Sequence, residues 1–165
     1  MKTIVLIGMM GSGKTTIGKL LGEKLNLKSI DIDILIEQNE KRTISDIFQN
    51  NGEKYFRNLE KETIQSIFED KNLVISLGGG AFEDEITQEL LLKNSTIIYL
   101  KTSPQIILER IKNNTNRPLL KNQMTVEKIQ SIISKRQKNY KLANITILTN
   151  NKNPDKIVEE ILGAI

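Results

Sequence analysis

The sequence contains neither cysteine nor histidine. The chain can therefore form no disulfide, and it offers no thiol or imidazole as a nucleophile, as a general base or as a ligand of the usual zinc sites. Any acid–base chemistry must use Asp, Glu, Lys or Tyr side chains. These two absences restrict the possible enzymes to those that work without Cys and His.

Tryptophan is also absent, aromatic residues make up only 4% of the chain, and the formal net charge is a mild +4. Because the basic side chains are not interleaved with aromatic rings on which bases could stack, we expect no nucleic-acid partner. No apolar run approaches the roughly 20 residues of a membrane span, so we expect no membrane partner. The first strand begins directly after Met1 and Lys2, which leaves no room for a signal peptide, and we expect a cytoplasmic protein.

The chain has 165 residues, enough for one hydrophobic core. We expect a single domain over residues 1–165 that acts as a monomer. Short apolar segments alternate with helical patterns along the chain, which is typical of an α/β protein with a parallel sheet and helices on both faces. Strands are predicted at residues 4–7, 28–33, 73–77, 96–100 and 145–148.

The segment 3–25 organises the chain. Its apolar run predicts a buried strand, residues 8–15 satisfy the pattern G-x-x-x-x-G-K-[ST], and a helical pattern follows. This context predicts a phosphate-binding loop, in which backbone N–H groups and the positive end of a helix surround an anion. Lys14 would reach the β- and γ-phosphates of a nucleoside triphosphate, and the Thr15 hydroxyl would bind Mg²⁺. The predicted nucleotide-binding residues of the loop are Gly11, Ser12, Gly13, Lys14, Thr15 and Thr16.

Two aspartates end the second predicted strand. Asp31 and Asp33 stand two positions apart, and such positions share one face of a strand. Both carboxylates would then face the crevice at the carboxyl end of the sheet, where open α/β sheets bind ligands.

The segment 34–69 is predicted to be mostly helical, with a capping-box start at Thr43 and a break at residues 50–52. Arg57 and Glu60 lie three positions apart, and from the spacing alone a surface ion pair is the favoured interpretation. Three glycines, 78–80, follow the third strand directly, which indicates either a sharp bend or a close contact with a ligand.

The polar segment 113–125 has no sustained period and contains Arg117 in its middle. A loop of this length in a compact domain predicts a lid, and a cation on such a loop can stabilise a phosphoryl group in transfer.

Taken together, these motifs resemble those of shikimate kinases, within the wider nucleoside-monophosphate-kinase-like group. The resemblance covers the whole chain and rests on GMMGSGKTT at 8–16, DID at 31–33, FR at 56–57, GGGA at 78–81, RPLL at 117–120 and Arg136. It implies a three-layer P-loop kinase fold whose five parallel strands have the order 2-3-1-4-5, with a substrate-binding segment at 34–69 and a lid at 113–125. It also implies transfer of the γ-phosphoryl group of ATP to the 3-hydroxyl of shikimate, a step towards chorismate and the aromatic amino acids.

The resemblance further implies a role for individual residues. Asp33 would hold the accepting hydroxyl, and Arg57, Arg136 and Gly79 would bind the rest of shikimate. Asp31 would support Mg²⁺ through water, and Thr15 would ligate it directly. The remaining implied nucleotide contacts are Lys14 and Arg117 at the phosphates, with Arg110, Pro154 and Lys152 near the adenine.

Lys152 is a departure, since relatives often carry arginine at this place. Two alternatives stay open at this point. One is a kinase for another small acceptor such as gluconate or a nucleoside monophosphate, and the other is a binding module that takes up ATP without transferring phosphate.

Overall fold

The computed structural model describes residues 2–68, 72–113 and 124–165. All strand pairs are parallel, and the sheet has the order β2-β3-β1-β4-β5. The predicted α/β class and strand order are therefore confirmed. The strands are β1 (Thr3–Ile7), β2 (Lys28–Asp31), β3 (Leu73–Ser76), β4 (Ser95–Lys101) and β5 (Ile145–Leu148).

Seven helices lie within the described residues, together with a short 3₁₀ turn at Ala81–Glu83. The helices are α1 (Lys14–Leu25), α2 (Ile32–Glu40), α3 (Ile44–Ile67), α4 (Glu85–Asn94), α5 (Pro104–Asn113), α6 (Val126–Tyr140) and α7 (Pro154–Ala164).

Strand β1 is buried on both faces and separates two cores. Val5 and Ile7 point into a core built with α2, α3, α4 and α6, whereas Ile4 and Leu6 point into a second core built with α1 and α7. Successive strand residues face opposite sides, so a fully apolar run suits a strand that is covered twice. The result is the three-layer arrangement expected of the fold.

The predicted helix signals in the segment 34–69 are present among its described residues. Thr43 and Asp46 form a capping box at the start of α3, each side chain accepting a backbone N–H of the other residue. Gly52 interrupts the helix with φ 83° and ψ 171°, a conformation that favours glycine. The expected break therefore lies where the sequence indicated it.

The predicted strand 28–33 is wrong in its last two residues. Strand β2 ends at Asp31, and α2 begins at Ile32, so Asp33 lies in the first turn of a helix. The reason is capping, because the Asp31 side chain accepts a hydrogen bond from the N–H of Ile34 at 3.2 Å. Ile32 and Ile36, four apart, are then both buried on the helix's core face. The two aspartates do not share a strand face.

Most of the predicted lid at 113–125, with Arg117, lies outside the described residues. Among the described helices, none combines the length and the apolar character needed to span a lipid bilayer.

We expect Gly18→Ala to lower the free energy of unfolding by about 1–3 kcal/mol, the usual cost of overpacking. Gly18 lies where α1 crosses β3, and a Cβ there would overlap the Ser76 hydroxyl, which donates to the Lys14 carbonyl at 2.9 Å. Denaturant unfolding measures the loss.

Gly163→Ala is the matched control, since a Cβ on that α7 glycine meets nothing within 4 Å. It should leave stability unchanged or raise it by about 0.5–1 kcal/mol. The double variant Gly18→Ala/Ser76→Ala should recover part of the loss, and a single Gly18→Ala variant as stable as the wild type would contradict the steric argument.

Candidate active site

A cavity of about 390 Å³ opens at the carboxyl ends of β1, β2 and β3. This is the edge at which open parallel sheets bind ligands, because loops from adjacent strands meet there. The cavity brings together most of the predicted site. It is lined by Met10, Gly11, Gly13, Lys14, Thr15, Thr16, Asp31, Asp33, Leu77, Gly78, Gly79, Arg110 and Ile111.

The loop between β1 and α1 has the backbone that an anion site requires. Gly11 and Gly13 have φ values of 76° and 97°, in the region open to glycine at little cost. Gly13 immediately precedes the first residue of α1, so the loop's N–H groups and the helix N-terminus face the same cavity. The Lys14 ammonium donates to the carbonyls of Gly8 at 2.8 Å and Met9 at 3.0 Å. These two hydrogen bonds hold the positively charged Lys14 ammonium at the loop.

Two oxygen-bearing side chains meet on the other side of the loop. The Thr15 hydroxyl donates to the Asp31 carboxylate at 2.5 Å, and both residues line the cavity. Hydroxyl and carboxylate oxygens suit Mg²⁺, which binds one or two protein oxygens and completes its shell with water and phosphate. In the described part of the chain, no group of three or more acidic side chains could enclose a metal. The donor set fits Mg²⁺ held jointly with a nucleotide.

Asp33 faces the glycines that follow β3. A Cβ at Gly78 would lie 2.7 Å from Asp33 Oδ1 and 2.6 Å from Glu60 Oε1. Any larger residue would displace these carboxylates, so the glycine is required by a close approach of side chains. Gly80 is required in the same way, because a Cβ there would lie 2.6 Å from an Arg57 nitrogen. Gly78 and Gly80 thus let a cluster of charged side chains lie close to the backbone.

Arg57 and Glu60 form an ion pair at 2.7 Å. The expected surface position is wrong for the acid, because Glu60 is only 3% exposed. The sequence did contain a signal of this burial. Glu60 stands four positions from both Phe56 and Ile64, on the buried stripe of α3. A charged residue on an apolar stripe indicates a functional or paired group.

Burial raises the pKa of Glu60 above its ordinary value, and the nearby Arg57 guanidinium partly offsets this. The Asp33 carboxylate adds to the rise and the Arg136 guanidinium opposes it. Two acids and two arginines are therefore electrostatically linked in one cluster.

Arg136 reaches the same glycines from α6. Its Nη1 donates to the Gly79 carbonyl at 2.5 Å and lies 3.8 Å from the Met9 sulfur. Arg57 and Arg136, from helices far apart in sequence, thus approach neighbouring glycines. Neither arginine lines the cavity itself, but both approach the glycine segment that does. Two guanidinium groups so close to one segment can bind a planar anion such as a carboxylate.

The predicted adenine contacts are only partly brought to the cavity. Arg110 lines it and donates to the Gly11 carbonyl at 3.1 Å. Lys152 instead pairs with Glu160 at 2.6 Å, and Pro154 is the first residue of α7. Neither of these two residues lines the cavity, and neither does Ser12, a loop residue whose side chain is buried.

Comparison with known proteins gives a consistent result. The family model for shikimate kinase matches residues 10–165. A shikimate kinase from a Sulfurihydrogenibium species is 47% identical, covering 100% of this chain and 98% of the relative, and one from Persephonella marina is 46% identical, covering 100% and 99%. The structure of shikimate kinase from Acinetobacter baumannii in complex with shikimate is 34% identical, with a TM-score of 0.91 over 98% of this chain and 91% of that one.

We expect Glu60 to make stability depend on pH in a way that Glu60→Gln abolishes. A carboxyl whose pKa is raised by folding stabilises fully below its unfolded pKa, and this contribution is lost as pH rises through the folded pKa. The stability of the wild type relative to Glu60→Gln should therefore fall as the pH rises above about 4, near the ordinary pKa of a glutamate. Denaturant unfolding of both proteins across this range measures it.

Glu62→Gln is the matched control, because it removes an exposed carboxylate from the same helix. A stability difference between the wild type and Glu60→Gln that is constant or grows with pH would contradict the raised pKa.

Proposed function

The chain belongs to the shikimate kinase family, and we propose that it transfers the γ-phosphoryl group of ATP to the 3-hydroxyl of shikimate. The products are ADP and shikimate 3-phosphate, in the route to chorismate and the aromatic amino acids. One observation carries the proposal: the phosphate-binding loop and Asp33 line one cavity together with Gly79, whose carbonyl accepts an N–H of Arg136, and Arg57 lies against the next glycine.

Arg57 and Arg136 bind the shikimate carboxylate in this proposal. The support is their approach to adjacent glycines and the forked geometry with which guanidinium groups bind carboxylates. Gly79 supplies a backbone contact to the substrate, since it lines the cavity and its carbonyl accepts an N–H of Arg136.

Asp33 holds the accepting 3-hydroxyl and receives its proton as the new oxygen–phosphorus bond forms. The bond between the γ-phosphorus and the bridging oxygen breaks, and ADP leaves with that electron pair. Because such transition states are loose, orientation of the hydroxyl by Asp33 contributes more than its basicity. Lys14 balances the charge on the phosphoryl group, and we assign the same work to Arg117, which lies outside the described residues.

The rest of the nucleotide is held by the loop residues 11–16 and by the group near the adenine, Arg110, Lys152 and Pro154. Thr15 and Asp31 would hold Mg²⁺, Thr15 directly and Asp31 through water, as their contact and oxygen donors support. When bound, Mg²⁺ supplies positive charge at the phosphates and a fixed geometry for them.

We also propose a single domain that acts as a monomer in the cytoplasm, where ATP is made, without nucleic-acid or membrane partners. The substrate-binding segment would be 34–69 and the lid 113–125. The support for the single domain is the one sheet, whose strands run from Thr3 to Leu148. The alternative acceptors and the non-catalytic module are not favoured, because full-length relatives share the shikimate kinase family.

Shikimate should trigger ADP release from Mg²⁺-ATP, and gluconate and AMP should not. Lys14→Ala should lower kcat to less than about a tenth, a barrier increase above about 1.4 kcal/mol, while circular dichroism stays unchanged. A coupled ADP assay with each acceptor measures this. ADP release with gluconate alone would reassign the substrate, and no ADP release with any of the three acceptors would favour the binding module.

The two aspartates should respond differently to loss of charge. Asp33→Asn should lower kcat by about 10²–10⁴ with little change in the KM for ATP, because the neutral amide orients the hydroxyl less well and cannot take up its proton. Asp31→Asn should instead raise the Mg²⁺ concentration needed for half-maximal rate, because Asp31 contacts the predicted metal ligand Thr15. Rates measured against Mg²⁺ for both variants decide this; rescue of Asp33→Asn alone by excess Mg²⁺ would mean that the roles are reversed.

A further inference from the structure

Tyr140 ends α6 one turn after Arg136, so the two side chains lie on the same face of the helix. The Tyr140 ring is stacked on the ring of Tyr99 in β4, with the centroids 4.4 Å apart and the planes tilted by 18°. Tyr140 is only 2% exposed. The stack fixes the end of α6 to the sheet, and Arg136 is carried on that fixed end.

The Tyr140 hydroxyl is a buried polar atom that makes no hydrogen bond of ordinary geometry among the described residues. Burial raises the pKa of this phenol, the Arg136 guanidinium lowers it, and the Glu83 carboxylate raises it. The one-turn spacing also puts the two side chains on one face of the helix, so the hydroxyl lies within reach of the Arg136 charge. A phenylalanine would fill the same space without the free-energy cost of burying an unpaired hydroxyl, so packing alone does not explain a tyrosine.

Arg136 has more donors than its known partners use. A guanidinium has five N–H donors, and one Arg136 nitrogen bonds the Gly79 carbonyl. A carboxylate bound in fork geometry takes two more. An acceptor beside the guanidinium would hold the plane of the fork without competing for the ligand. Because the Tyr140 hydroxyl is buried, it can act on the ligand only through the arginine.

We propose that Tyr140 is a positioning residue for shikimate binding: its hydroxyl accepts an N–H of Arg136 and holds the guanidinium in the plane that receives the substrate carboxylate. The inference rests on the proposed function, in which Arg136 binds that carboxylate.

Tyr140→Phe is the test, and Tyr99→Phe is the matched control, since each variant keeps the stack and removes one hydroxyl. Tyr140→Phe should raise both the KM and the calorimetric Kd for shikimate about three- to tenfold, the usual effect of losing one ordinary hydrogen bond. The KM for ATP and kcat should stay within about twofold. Its thermal midpoint should fall by no more than about 4 °C, because the stack is kept and only one hydrogen bond is lost. Tyr99→Phe should leave shikimate binding unchanged.

Unchanged shikimate affinity in Tyr140→Phe would overturn the inference. So would an equal loss in Tyr99→Phe, or a larger fall in the thermal midpoint of Tyr140→Phe with equal losses for ATP and shikimate, because these results would mean a purely structural role. Wild-type protein that binds ATP but no shikimate would overturn the proposed function itself. The calorimetric titration of the wild type separates that failure from the others.

Discussion

The absence of side chains at Gly78 and Gly80 is the constraint on which the rest of the site depends. Charged groups from α2 and α3 fill the positions where Cβ atoms would stand, namely Asp33, Glu60 and Arg57. Each of these groups needs a partner, since isolated buried charges are costly. The glycines let the partners come close enough to stabilise one another. The backbone after β3 therefore needs glycine at these two positions, so that the charged side chains of the site can lie against it.

The same close packing joins the two halves of the site. Ser76, the last residue of β3, donates to the carbonyl of Lys14, the first residue of α1. Asp31, the last residue of β2, accepts a hydrogen bond from Thr15, the second residue of α1. The loop is thus held by two neighbouring strands, and its N–H groups are oriented before a nucleotide arrives. Preorganised donors of this kind do not need to reorganise when charge develops during phosphoryl transfer.

The sequence was sufficient for features that depend on local rules. The phosphate-binding loop follows from glycine spacing between a strand and a helix, and the break at Gly52 follows from turn chemistry. The strand order was predicted only through the family resemblance, because no local rule specifies which strands pair. The strand prediction over Asp31 and Asp33 failed because the capping preference of Asp31 outweighs the period-two pattern. The burial of Glu60 was missed because spacing does not show which neighbour a side chain meets.

Buried polar atoms without hydrogen bonds are concentrated around the site. Among the described residues they include Ser12 Oγ in the loop and Glu60 Oε1 in the charged cluster. Each such atom lowers the stability of the folded chain, and apolar packing would remove that cost. The cost falls on groups that hold or adjoin the phosphate loop and the two arginines. Selection for stability alone would not place these atoms here. Their common location therefore favours the interpretation that this end of the sheet binds a polar, anionic substrate.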